Sequence, residues 1–232
     1  MLKNTQINRL ATRKIALALG ELNEKVIYVG GAVVSLYIDD PSAEDIRPTK
    51  DIDISFEIFS FSQLEKLRLS LIQKGFYQTS EDNVICRFRF EDIKIDVMAT
   101  RPIGWAPGNP WFEVGFNKTT SVNIENIPIK ILSLPYYLAT KFAAFSDRGR
   151  KDPRTSHDFE DIVYLLNYSS NIKDGILNAE KDVQSYLKEA FLEIQNSAIL
   201  QEAVIGNLYY ENQMARFNKI LIKLKEITDV IY

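Results

Sequence analysis

Arg47-Pro48-Thr49-Lys50-Asp51-Ile52-Asp53-Ile54-Ser55-Phe56 opens on a polar, proline-bearing loop and closes on an alternation of polar and apolar residues. Such alternation marks a strand with one face in a core. Residues two apart on a strand share a face, so Asp51 and Asp53 project together while Ile52 and Ile54 turn inward. Two carboxylates a few Å apart repel unless a cation lies between them. A divalent ion such as Mg²⁺ takes hard oxygen ligands of this kind. Taken alone, the pair is better read as the wet face of an edge strand.

Two features on either side change that weighting. Upstream, Val26-Ile27-Tyr28-Val29 reads as a buried strand, Gly30-Gly31 punctuates it, and Ala32–Tyr37 follows as a short apolar helix. A glycine pair lets the backbone approach a ligand closely, and a helix start offers N–H groups to a phosphate. The plainer reading is a tight strand–helix turn. Downstream, Val84–Phe90 and Ile93–Met98 flank Glu91-Asp92 as a hairpin, and Asp96 is the lone carboxylate on the second, strongly apolar strand. It is either a solvated position on a half-exposed strand or the third carboxylate of a metal site that also takes substrate phosphates.

The rest of the chain divides in two. Residues 5–22 and 62–74 carry helical spacing, and 39–50 and 101–110 are loops. Trp111–Phe116, Ser121–Ile124 and Ile127–Ile131 read as strands. From Leu134 onward the pattern is helical, over 134–147, 157–167, about 179–194 and 212–230. The expected organisation is an α+β domain over residues 1–132 and a helical domain over 133–232.

Composition narrows the chemistry. The 232 residues include one Cys, Cys86, and one His, His157. That excludes a disulfide framework and any zinc site built on several Cys and His residues of one chain. Lys and Arg number 28 against 31 Asp and Glu, so a wholly basic nucleic-acid-binding chain is not expected, although a local basic patch is. No stretch nears the roughly 18 apolar residues of a membrane span. The first twenty residues lack the apolar core of a signal peptide, and with a single Cys a reducing cytoplasm is the expected location.

A glycine pair, then Asp-x-Asp on a strand, then a single Asp on a later strand resemble the nucleotidyltransferase superfamily that includes DNA polymerase beta. Arg47-Pro48-Thr49-Lys50-Asp51-Ile52-Asp53 is similar to the R-x-T-x-D-[IL]-D segment of the AbiEii-type nucleotidyltransferases, the toxins of type IV toxin–antitoxin systems, and Gly30-Gly31-Ala32 fits their glycine pair. Lys141 in Leu138–Arg148, with Asp158 and Asp161 in His157–Leu166, resembles the later Lys, Arg and D-x-x-D motif. The link Gly149–Ser156 is longer than usual, and His157 stands where that family has Arg.

The resemblance implies a nucleotidyltransferase fold, with a mixed sheet flanked by helices and a C-terminal helical domain. It implies Mg²⁺ held by Asp51, Asp53 and Asp96, and an NTP contacted by Gly30, Gly31, Arg47, Thr49, Lys50 and Lys141. Asp158 would be an active-site acid that orients Lys141 or the acceptor, and Asp161 would support the fold and the Lys and Arg residues. It also implies a cognate antitoxin and a hydroxyl acceptor such as tRNA, another RNA or a protein.

Each of these residues has a plainer reading. Lys141 sits among Leu138, Ala139, Phe142, Ala143 and Ala144, where a charge either snorkels to water or is aimed at something. Asp158 and Asp161 also describe an acidic first helical turn capped by Thr155 or Ser156. Arg148, Arg150, Lys151 and Arg154 form a basic cluster that suits phosphates or a solvated loop. Tyr136 and Tyr137 suit base stacking or a core. His157 reads as a surface imidazole and Cys86 as a small buried hydrophobe. Two other functions remain in view: an aminoglycoside adenylyltransferase using the same three carboxylates, and a non-catalytic nucleotide-binding module.

Overall fold

The computed structural model describes residues 2–231. Helix α1 (Lys3–Leu19) is followed by a 3-10 segment (Gly20–Lys25) and strand β1 (Val26–Val29). All four β1 residues are buried, as a continuous apolar run inside a sheet should be. A 3-10 turn, Gly31–Tyr37, occupies the span expected to be a short helix. Strand β2 (Ile52–Phe56), helix α2 (Phe61–Gln73), strands β3 (Arg87–Phe90) and β4 (Ile93–Ala99), helix α3 (Pro110–Gly115) and strands β5 (Thr119–Ile124) and β6 (Ile127–Leu132) complete the first part.

The six strands form one sheet in the order β3-β4-β2-β1-β6-β5. It is mixed: β1 runs parallel to β6 and β2 parallel to β4, while β1–β2, β3–β4 and β5–β6 are antiparallel. Strand β2 lies inside the sheet with a neighbour on each side, so the edge-strand reading of Asp51 and Asp53 is set aside. Helix α1 lies across β2, β5 and β6. Helix α2 starts at a capping box in which Ser60 and Gln63 satisfy each other's backbone N–H, and it buries Leu64, Leu67 and Leu71. Each such leucine contributes about 1.5–3 kcal/mol of burial.

Trp111–Phe116, expected as a strand, lies instead in α3. The Asn109 side chain accepts from the Trp111 N–H and Pro110 takes the first helical position. That N-terminal chemistry outweighs a short apolar alternation.

The second part holds α4 (Leu134–Ala144), a π-helical turn (Phe145–Gly149), α5 (His157–Tyr168), α6 (Ile172–Leu177), α7 (Lys181–Asn196), α8 (Ala198–Gly206) and α9 (Gln213–Thr228). Helix α4 packs on α5, α6 and α7, and α9 packs on α5, α6, α7 and α8. The chain divides into two compact units. One comprises residues 1–36 and 44–133, and the other residues 37–43 with 134–232. The segment 37–43 is fastened within the helical unit: Tyr37 stacks on Tyr137 at 4.2 Å between centroids, Asp39 accepts from the Ser170 N–H, and Asp40 pairs with Arg216. Among the described residues no helix is long and apolar enough to cross a membrane.

Candidate active site

The alternation in β2 and β4 decides what faces outward. Ile52, Ile54, Ile95 and Val97 are buried, whereas Asp53 and Asp96 on the opposite face are half-buried. The parallel register sets Asp53 directly beside Asp96, and Asp51 lies one bend before β2. Three carboxylates thus gather on one face of adjacent interior strands.

The glycine pair belongs to the same cluster. Gly30 ends β1 with φ +69°, and a Cβ there would lie 1.7 Å from Asp53 Oδ2. Only glycine adopts that conformation cheaply and leaves the carboxylate its place. A Cβ at Gly31 would lie 2.5 Å from Arg47 Nη2 and 3.0 Å from the Thr49 methyl, so Arg47 and Thr49 lie against this bend. The Thr49 hydroxyl donates to Asn8 Oδ1 at 2.7 Å, and Asp45 accepts from the N–H groups of Asn4 and Thr5. These bonds tie the loop to the start of α1. Lys50 is exposed.

One member of the cluster went unrecognised in the sequence. Arg87 on β3 pairs across the ladder with Asp96. Its Nε and Nη2 donate to the two Asp96 oxygens, each at 2.7 Å, and Nη2 also donates to Asp51 Oδ2 at 2.6 Å. The hydrogen bonds to Asp96 hold the guanidinium above its ordinary pKa. Burial, followed by the charge of Asp96, pushes the Asp51 carboxyl up, against the pull of Arg87 and Arg47. The signal was in the hairpin itself. A two-residue turn at Glu91-Asp92 aligns 90 with 93, and therefore 87 with 96.

The donor set is all hard oxygen, which suits Mg²⁺, and a guanidinium already stands between two of the three carboxylates. As the chain is arranged, no group of three His, Cys, Asp or Glu among the described residues is spaced to hold a metal ion. The carboxylate oxygens are of the chemistry a divalent ion takes, although their present spacing does not hold one; Arg87 bridges two of them. Cys86, beside Arg87, is buried, and that burial pushes its thiol up to about 11.

The helical unit carries the second constellation. Lys141 is 4% exposed and Asp161 2%. Lys141 Nζ donates to Asp161 Oδ2 at 2.6 Å and lies 5.6 Å from the centre of the Tyr137 ring. Lys141 does not snorkel; it is a buried, paired ammonium. Asp158 Oδ1 is 3.9 Å from Lys141 Nζ, while Arg148 holds Asp158 through a bidentate pair at 2.8 and 3.0 Å. The direct partner of Lys141 is therefore Asp161, with Asp158 serving Arg148.

A π-helical turn lies between α4 and α5 and carries Arg148. It inserts extra backbone after α4, and Ser156 then caps α5 by accepting from the Phe159 N–H. Arg150 pairs with Glu193 and Arg154 with Asp152, so much of the basic loop is neutralised within the chain. His157 is exposed beside Glu160. Tyr136 and Tyr137 are core residues.

Comparison with known proteins agrees with this architecture. An antigenic nucleotidyltransferase-like protein from Paracoccidioides brasiliensis has a similar fold, at 16% identity and a TM-score of 0.50 over 90% of this chain and 97% of that one. So does the antibiotic-resistance factor ANT(2'')-Ia, at 14% identity and a TM-score of 0.50 over 83% of this chain and 97% of that one. A search of curated protein sequences finds no match. The family model for the nucleotidyl transferase AbiEii toxin of type IV toxin–antitoxin systems matches residues 15–226; the chain belongs to that family and is a nucleotidyltransferase.

Proposed function

We propose that the chain transfers a nucleoside monophosphate from an Mg²⁺-bound NTP to a hydroxyl on RNA, as the toxin of a cytoplasmic pair whose antitoxin restrains it. The observation that carries the reading is the convergence of Asp51, Asp53 and Asp96 beside the Gly30-Gly31 bend. These three carboxylates would hold the metal, which when bound offsets the charge of the triphosphate. The glycine pair, with Arg47 and Thr49 against it, admits phosphate close to the backbone. The acceptor oxygen attacks the α-phosphorus, Asp96 takes the hydroxyl proton, and pyrophosphate leaves. Within the helical unit Lys141 is held by Asp161. Asp158 holds Arg148 in place.

The test is incubation with α-labelled NTPs, total RNA and, separately, a panel of aminoglycosides. Wild type is expected to label RNA, and Asp53→Ala to lose at least about a thousandfold in transfer with an unchanged circular dichroism spectrum. Full transfer by Asp53→Ala would overturn the carboxylate reading. Label on a drug would move the acceptor to antibiotics. Growth arrest on expression, relieved by a neighbouring gene product, would support the toxin role.

A further inference from the structure

Arg87 holds Asp96 by both oxygens and reaches Asp51 with the same Nη2 that serves Asp96. The Arg87 and Asp96 side chains are each 14% exposed, so this is not a surface pair that solvent screens away. A guanidinium fork ordinarily saturates one carboxylate. Here it is shared by two that come from different segments, and it stands between them. With both oxygens already accepting from Arg87, Asp96 has fewer lone pairs to offer an ion or a proton while the guanidinium stays. Without a cation the same carboxylates would repel one another.

We propose that Arg87 is a built-in counter-cation of the carboxylate cluster: it competes with a divalent ion for Asp51 and Asp96, so the ion enters only as the guanidinium leaves. The inference deepens the proposed function and rests on its assignment of the three carboxylates as metal ligands. Arg87 is a positioning residue. It keeps the carboxylates converged in the metal-free chain and thereby weakens their affinity for metal alone. A lysine, with one compact charge and no fork, would do both less well.

Mn²⁺ binding to the nucleotide-free protein, followed by electron paramagnetic resonance and calorimetry, tests this in wild type, Arg87→Gln, Arg87→Lys and Asp51→Asn. Arg87→Gln is expected to bind Mn²⁺ at least about tenfold more tightly than wild type, since a charge-assisted bond no longer has to break, and Arg87→Lys should fall between. In chelator, Arg87→Gln should melt below wild type and gain more from added Mn²⁺. If Arg87→Gln does not fold, tighter binding by Arg87→Lys than by wild type carries the same result. Equal or weaker Mn²⁺ binding by the folded Arg87 variants overturns the counter-cation and leaves the metal reading intact. Failure of every protein to bind Mn²⁺, with Asp51→Asn no different, overturns both.

Discussion

A single methyl group at residue 30 would stand 1.7 Å from the Asp53 carboxylate. Neither can yield easily, because Gly30 sits in the left-handed region and Asp53 is fixed by pairing on both sides of β2. Gly30→Ala is therefore expected to cost about 1–2 kcal/mol for the backbone alone, with further loss from displacing Asp53, and to lower transfer as well as stability. Gly31→Ala should be milder in stability, because its Cβ meets the movable end of Arg47. Urea midpoints and labelling assays on the two variants check the ranking. At this scale much of the site was legible. The Asp-x-Asp spacing and the glycine pair are local patterns, and strand geometry fixes which way Asp53 points, while Asp51 lies one bend before the strand. Which acid pairs directly with Lys141 was not legible, since Asp158 and Asp161 lie three residues apart on one face of α5 and spacing does not choose between them.

At the scale of elements, α4 and α5 are joined by a buried ion pair. Removing one partner leaves a charge stranded, at about 3–5 kcal/mol. Asp161→Ala should thus be severely destabilising, while Lys141→Met combined with Asp161→Leu should regain most of the stability and none of the transfer. Denaturant curves beside labelling assays separate the two effects. The β3–β4 hairpin shows a different kind of legibility: its turn already implied that Arg87 faces Asp96, although arginine on a strand carries no chemical signature of its own. Helices α6 and α8 escaped the sequence reading for a physical reason. Six residues with Gly175 inside, or nine residues apolar nearly throughout, form helices because neighbours pack on them. Helix α3 was misread as a strand because its apolar residues alternate, while Asn109-Pro110 set the conformation.

At the scale of the whole molecule, stability carries a pH signature from Lys223. Its ammonium donates to the carbonyl oxygens of Leu166 and Ser169, and burial, followed by the nearby charge of Lys219, lowers its pKa to about 8. The unfolded chain holds that proton up to its ordinary value of 10.5. Between these values the unfolded state binds more protons, so this group's contribution to stability rises with pH across that window. After allowance for its partial exposure the rise is about 1–2 kcal/mol. Unfolding free energies measured from pH 7.5 to 10.5 should show it in wild type, and Lys223→Met should lack it. The helical unit also borrows residues 37–43 from the first third of the chain. Asp39 waits 131 positions for Ser170, and Asp40 waits 176 for Arg216. During synthesis those seven residues leave the ribosome long before their partners exist. The helical core can be completed only after α9 has been made, and a piece cut after Ser133 would deprive the helices of contacts that no later sequence supplies.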